Sequence, residues 1–167
     1  MKIKNIFPTV LIILFGITSC GPQNVTLFNA LHVQFPTTFT KDRNMEHTWV
    51  DSRNGAVLKF SMTKNKSFGA LLPTVSFDEL YQAPLHDTTE KITDREIRKI
   101  SGLKIGIIQK YVDSTAIKTF FTEVNNEILM GKLEGDIKYD EYLKFTFDNM
   151  INSIEVRTQS GQNNKTK

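Results

Sequence analysis

Residues 103–133 read LKIGIIQKYVDSTAIKTFFTEVNNEILMGKL. The stretch divides into Leu103–Val112, Ile117–Val124 and Glu127–Leu133, three runs rich in β-branched and aromatic residues. The breaks between them, Asp113-Ser114-Thr115-Ala116 and Asn125-Asn126, are short and mostly polar. Such connections are too short for a crossover, so neighbouring strands must run antiparallel. A fourth extended run, Glu96–Ile100, precedes them across Ser101-Gly102, in a region that turns β from Lys91 onward. Four strands in a meander decide the class: a sheet first, with helices added to it.

Outward from the meander, Tyr139, Leu143, Phe147, Met150 and Ile154 step by four, four, three and four. That spacing is one face of a helix over Tyr139–Ile151, with a short strand at Ser153–Arg157 after it. On the other side, Ser76 and Glu79 form a capping box, Asp78 and Glu79 suit the positive end of a helix, and Val75 with Leu80 forms a hydrophobic staple. This predicts a short helix with Phe77, Leu80 and Tyr81 on its apolar face, stopped by Pro84. Asn65–Thr74 reads as loop. Thr48–Asp51 and Ala56–Met62 are extended and joined through Ser52-Arg53-Asn54-Gly55, where Asn-Gly marks a hairpin because both residues tolerate positive φ. Val25–Phe35 reads as one strand ended by Pro36. The sum is an α+β sandwich: an antiparallel sheet of about six strands packed with two main helices.

The N-terminus has a different character. Lys2 and Lys4 precede a mostly apolar run from Ile6 to Ile17. That run is shorter than the roughly 20 apolar residues a membrane span needs, and it has the length of an export-signal core. Ile17-Thr18-Ser19-Cys20 follows and resembles the bacterial lipobox. The resemblance implies lipid on the Cys20 thiol, cleavage between Ser19 and Cys20, and acylation of the new terminus by palmitate-type chains. Several acyl chains anchor far more firmly than one, since each buried CH₂ contributes about 0.8 kcal/mol. The expected organisation is a signal peptide (1–19), a lipidated tether (20–24), one domain (25–157) and a disordered polar tail (158–167). Gly21-Pro22-Gln23-Asn24 carries no acid, which favours an outer-membrane position facing the periplasm.

The 167 residues carry 21 basic and 18 acidic side chains. Without Lys2 and Lys4 the balance is 19 against 18, so charge gives no reason to expect nucleic acid as a partner. Cys20 is the single cysteine, so lipidation leaves neither a free thiol nor a disulfide.

Four motifs, in order, resemble the Mog1/PsbP-like fold in its bacterial lipoprotein branch. They are Val33-Gln34-Phe35-Pro36-Thr37-Thr38-Phe39, Phe77-Asp78-Glu79-Leu80-Tyr81, Ile100-Ser101-Gly102, and Tyr142–Ile154 ending in Met150-Ile151-Asn152-Ser153-Ile154. The resemblance spans residues 25–157. It departs at Phe39, where many members carry Trp. Members mostly act as binding or assembly factors, one on a nuclear GTPase and others on photosystem subunits. The family has no catalytic residues to carry over, and fold alone does not fix function.

Chemistry-bearing residues are sparse. His32, His47 and His86 make no metal-binding spacing and have no second cysteine to join them. Glu134-Gly135-Asp136 with Asp140-Glu141 is acidic but lacks the spacing of a calcium loop. No nucleophile-elbow, zinc-protease or phosphate-loop motif occurs. Lys91, Arg95, Arg98, Lys99, Lys104 and Lys110 form a basic strip with acids interspersed, read as a solvated face or as a partner-binding surface. Trp49, beside the Asn-Gly turn, is a core residue or, if exposed, a partner contact. The expectation is a non-enzymatic lipoprotein, without cofactor or metal, bound to the membrane through Cys20 and to an envelope protein. A small-ligand carrier or sensor with a pocket between sheet and helix is the alternative, and an enzyme of unrecognised type a third reading.

Overall fold

A computed structural model describes residues 21–64, 76–82 and 90–157. The signal segment, Cys20, the Asn65–Thr74 loop, Val75 of the staple, Pro84, His86 and the tail 158–167 lie outside the described residues.

Strands β1 (Pro22–Leu27), β2 (Leu31–Pro36), β3 (Phe39–Lys41), β4 (Thr48–Asp51) and β5 (Val57–Lys64) come first. Helix α1 (Phe77–Gln82) follows, then β6 (Glu90–Ile100), β7 (Leu103–Val112), β8 (Thr115–Val124) and β9 (Glu127–Asp136). A single 3-10 turn leads into α2 (Asp140–Asn152), and β10 (Glu155–Val156) closes the described chain. The α+β class and the two helices are as expected. The strands, however, form two antiparallel sheets rather than one of about six: seven strands in the order β3-β4-β5-β9-β8-β7-β6, and three in the order β1-β2-β10.

The split originates at Phe28-Asn29. Both residues take positive φ, and the Ala30 amide donates to the Leu27 carbonyl at 2.9 Å. The expected Val25–Phe35 strand therefore folds back on itself as the β1–β2 hairpin. Ser101-Gly102 and Asn125-Asn126 likewise place both residues at positive φ, the geometry that matches the twist of two-residue hairpins. At the Asn-Gly turn only Gly55 does so; Asn54 instead accepts from the Ala56 amide through its side chain. The loop before β8 is two residues, not four, because Thr115 and Ala116 pair with Asp136 and Gly135. The same pairing draws Glu134-Gly135-Asp136 into β9, which runs three residues beyond the expected Leu133.

One face of the large sheet carries Trp49, Leu58, Phe60, Ile105, Ile107, Phe120 and Leu133, all buried. Helix α2 lies on it through Leu143, Phe147 and Met150, as the spacing predicts. Tyr139 does not belong to that face: it falls in the 3-10 turn and is exposed. The small sheet covers the rest of this face, with Leu31, Val33 and Phe35 pointing in. Phe35 meets Phe39, Trp49 and Phe60 at ring separations of 6.0, 5.5 and 6.3 Å, joining the two sheets.

On the opposite face, α1 packs Phe77, Leu80 and Tyr81 over Phe121, Ile128, Ile108 and Met130. Its capping box is formed as the sequence implies. The Ser76 amide donates to Glu79 Oε2 at 2.7 Å, and the Glu79 amide to Ser76 Oγ at 3.2 Å.

Gly131 of β9 stands opposite Phe120 of β8, and the Phe120 ring lies over it. A Cβ at residue 131 would come within 2.1 Å of Phe120 Cε1, and Phe120 is fully buried. Gly131→Ala should therefore destabilise the fold by about 1–3 kcal/mol, the usual cost of overpacking. Urea unfolding would register this as a lowered midpoint; an unchanged midpoint would mean that the ring swings clear.

Candidate interaction surfaces and the polar core

The described residues bring together no group of three or more His, Asp or Glu able to hold a metal. His32 lies on β2 and shares a 3.0 Å hydrogen bond with Thr26. His47 packs against Phe28 with the two rings tilted at 43° and their centroids 4.3 Å apart. The acidic residues near α2 disperse into structural roles. Asp136 accepts from the Lys138 amide and caps the 3-10 turn, while Glu134 pairs with Lys132 at 2.6 Å. Trp49 is 5% exposed, edge-on to both Phe35 and Phe60. It is a core residue and not an exposed contact, because β4 turns it inward beside Leu58. The space between sheet and α2, where a ligand pocket was the alternative expectation, is occupied by Leu143, Phe147 and Met150 against Phe120 and its neighbours.

The most organised chemistry is buried. Lys118 of β8 lies between Ala116 and Phe120 on the inward face, its side chain 3% exposed. Its ammonium donates to Asp140 Oδ1 at 2.7 Å and to Gln109 Oε1 at 3.1 Å. Tyr111 donates to the other Asp140 oxygen at 2.7 Å. Burial alone would raise the Asp140 carboxyl, but the Lys118 and Tyr111 donors outweigh it and hold the group below its ordinary value. The same carboxylate, with burial, raises the Tyr111 phenol.

A second anchor forms on β4. Asp51, with its side chain fully covered, accepts from the Tyr142 hydroxyl at 2.6 Å and the Arg53 amide at 3.0 Å. Arg53 donates to the Tyr142 hydroxyl and sits 4.8 Å over its ring. Burial again opposes ionisation of Asp51, and Tyr142 and Arg53 prevail, so its carboxyl is also lowered. Arg98 of β6 pairs with Asp148 at 3.0 Å and with Glu96. The Ser101 hydroxyl donates to the Ile154 carbonyl at 2.7 Å. Sequence reading named none of these links. The signal for Lys118 was present, since in a period-2 strand it shares parity with Ala116 and Phe120.

Two surface features remain. The first is β6, eleven residues long at one end of the large sheet, with Ile97 45% exposed between Glu96 and Arg98. This strand carries most of the basic strip. The second is Phe145, the most exposed of the large apolar side chains among the described residues at 67%. It lies one turn before Asn149 on α2. Asn149, Asn152 and Ser153 line one wall of a groove of about 560 Å³, and Pro22, Gln34, Phe35 and Pro36 line the other. No described helix is long and apolar enough to cross a membrane.

A seven-stranded antiparallel sheet with a C-terminal helix on one face and a short helix on the other defines a PsbP-like fold. The solution structure of cyanobacterial PsbP (CyanoP) from Synechocystis sp. PCC 6803 superposes with a TM-score of 0.59 over 85% of this chain and 96% of that one, at 12% identity. A Pseudomonas aeruginosa protein of unknown function, PA94, covers 83% of this chain and 99% of its own at 12% identity, with a TM-score of 0.48. No protein-family model matches the sequence, and no curated protein does.

Asp140→Ala would strand the Lys118 ammonium in the core. Removing one partner of a buried pair costs about 3–5 kcal/mol, so urea unfolding at pH 7 should show a loss of that order, and Asp140→Asn a smaller one. Asp51 and Asp140 are both held lower in the folded state than in the unfolded chain. Their contribution is therefore complete above the ordinary carboxyl pKa of about 3.9 and is lost as pH falls through the depressed folded values. The stability advantage of the native protein over Asp140→Asn should shrink below about pH 4. An advantage that stayed constant from neutral pH into strong acid would contradict the pairing.

Proposed function

We propose that this chain is a lipid-anchored protein of the cell envelope, cleaved between Ser19 and Cys20 and acylated on Cys20. It faces the periplasm from the outer membrane and acts as a binding or assembly factor rather than as an enzyme. The observation that carries the binding role is β6. Among the described residues, this eleven-residue edge strand has no strand partner for the alternate backbone amides and carbonyls on its outer side. Ile97 adds an exposed apolar contact in its middle, flanked by charges of both signs. An extended segment of a partner protein adding to that edge would gain main-chain hydrogen bonds and one apolar anchor. The bulge between Ile92 and Asp94 and the charged side chains limit indiscriminate pairing, so a fitting partner needs complementary charges around an apolar residue. The PsbP-like fold is compatible with this reading and does not specify the partner.

Two measurements test it. Cys20→Ala should abolish palmitate incorporation and leave an unprocessed precursor; incorporation that persisted would refute the anchor. A photo-crosslinking residue in place of the exposed Lys99 of the anchored protein should capture one reproducible envelope protein, with Ile97→Asp in that protein weakening its recovery about tenfold or more, the loss expected for a charge forced into an apolar contact. Repeated capture of nothing reproducible would count against β6 as the binding edge.

A further inference from the structure

The groove between β1–β2 and α2 lies where the proposed tether enters the fold. Pro22 is both the first residue of β1 and a wall of the groove, and it stands two residues after Cys20. At about 3.6 Å per residue the chain from Cys20 to Pro22 reaches at most ~7 Å. That is less than the diameter of a helix and close to the thickness of one headgroup layer, roughly 5–7 Å. The entry point is also fixed in orientation. Pro22 is in register with Pro36, and the Gln23 side-chain amide donates to the carbonyls of Pro36 and Phe39 at 3.1 and 2.6 Å. A domain pinned this closely cannot turn the surroundings of Pro22 away from the surface that holds Cys20.

Those surroundings suit a lipid interface. The groove lining contains two prolines, a phenylalanine and small or amide side chains, with no charged residue. Phe145, Asn149 and Asn152 are spaced by four and three, so they share one stripe of α2. That stripe carries the exposed Phe145 ring about 6 Å along the axis from the groove wall. The flanking charges on α2, Glu141, Lys144 and Asp148, are of mixed sign and give no net attraction to anionic lipid.

We infer that the face formed by Pro22, Pro36, Asn149 and Phe145 rests on the phospholipid bilayer, with the Phe145 ring inserted at the headgroup–acyl boundary. The inference rests on lipidation of Cys20. It makes the bilayer a second contact that fixes the domain's tilt, which the short tether narrows but does not set. Insertion of this kind depends on apolar burial and is insensitive to the fraction of anionic lipid.

The test uses the full chain, processed in cells and purified with its lipid, in phosphatidylcholine vesicles containing spin-labelled lipids. An environment-sensitive fluorophore is placed on Phe145→Cys, and on Lys132→Cys as a control from the opposite face of the large sheet. Palmitate incorporation is measured on the same preparations. The probe at 145 should be blue-shifted and quenched several-fold more than the probe at 132, most strongly by shallow spin labels, and equally with and without anionic lipid. Equal quenching at both positions in palmitate-bearing protein overturns the inference and leaves the anchor standing. Protein without palmitate overturns the anchor, and this inference with it.

Discussion

An ammonium group inside a protein must be paired, and in this fold that requirement sets the position of the C-terminal helix. Lys118 projects from the inner strand β8 into the space beneath α2, where water cannot solvate it. Gln109 satisfies one donor, and Asp140, in the first turn of α2, supplies the counter-charge. The carboxylate is doubly suited to that place: it neutralises Lys118 and lies at the positive end of the helix dipole. Desolvation makes such a pair a weak source of net stability compared with well-packed apolar residues. Its effect is on geometry, because a helix shifted along its axis or rotated by one residue would leave a bare charge in the core.

The remaining links to α2 act in the same direction. Tyr142 to Asp51 ties the first turn to β4, Asp148 to Arg98 ties the middle to β6, and Ser153 receives the Gln34 amide from β2 at 2.8 Å. These contacts reach three strands drawn from both sheets. Apolar burial under Leu143, Phe147 and Met150 supplies the driving force, being non-directional and proportional to area. The polar links choose one seating among those that burial alone would allow. The Phe120 ring over Gly131 belongs to the same economy of space, since it fills the volume that a side chain at residue 131 would need.

What sequence reading could reach follows from how local each cause is. The capping box of α1 depends on two residues three apart, and it formed as written. The α2 stripe depends on periodicity within one element, and only Tyr139, outside the regular helix, departed from it. The meander depends on strand composition and short connections, and its four strands are present, each at least as long as expected. The division into two sheets depends on positive φ at Phe28 and Asn29; phenylalanine rarely adopts that conformation, so the strand pattern ran on through the turn. Lys118 and Asp140 are 22 residues apart, and their pairing exists only once the helix is docked. Trp49 was open to either reading because Phe35 and Phe60, which cover it, lie on other strands. Function was the least legible, since a fold alone does not fix what a protein does.

The two surfaces proposed for contact are compatible because of where α2 sits. The helix covers the inward face of the large sheet, with Phe145 and the groove on its outer stripe, while β6 is that sheet's edge strand. A bilayer against α2 and the tether would leave the β6 edge free to accept an extended segment. The Arg98–Asp148 ion pair, which joins β6 directly to α2, would hold that edge at a fixed angle to the membrane plane. Anchoring of the proposed kind would then contribute to recognition through geometry. A partner held in the same layer would meet an edge already oriented toward it, and the rotational freedom that a loosely tethered domain loses on binding would have been given up beforehand.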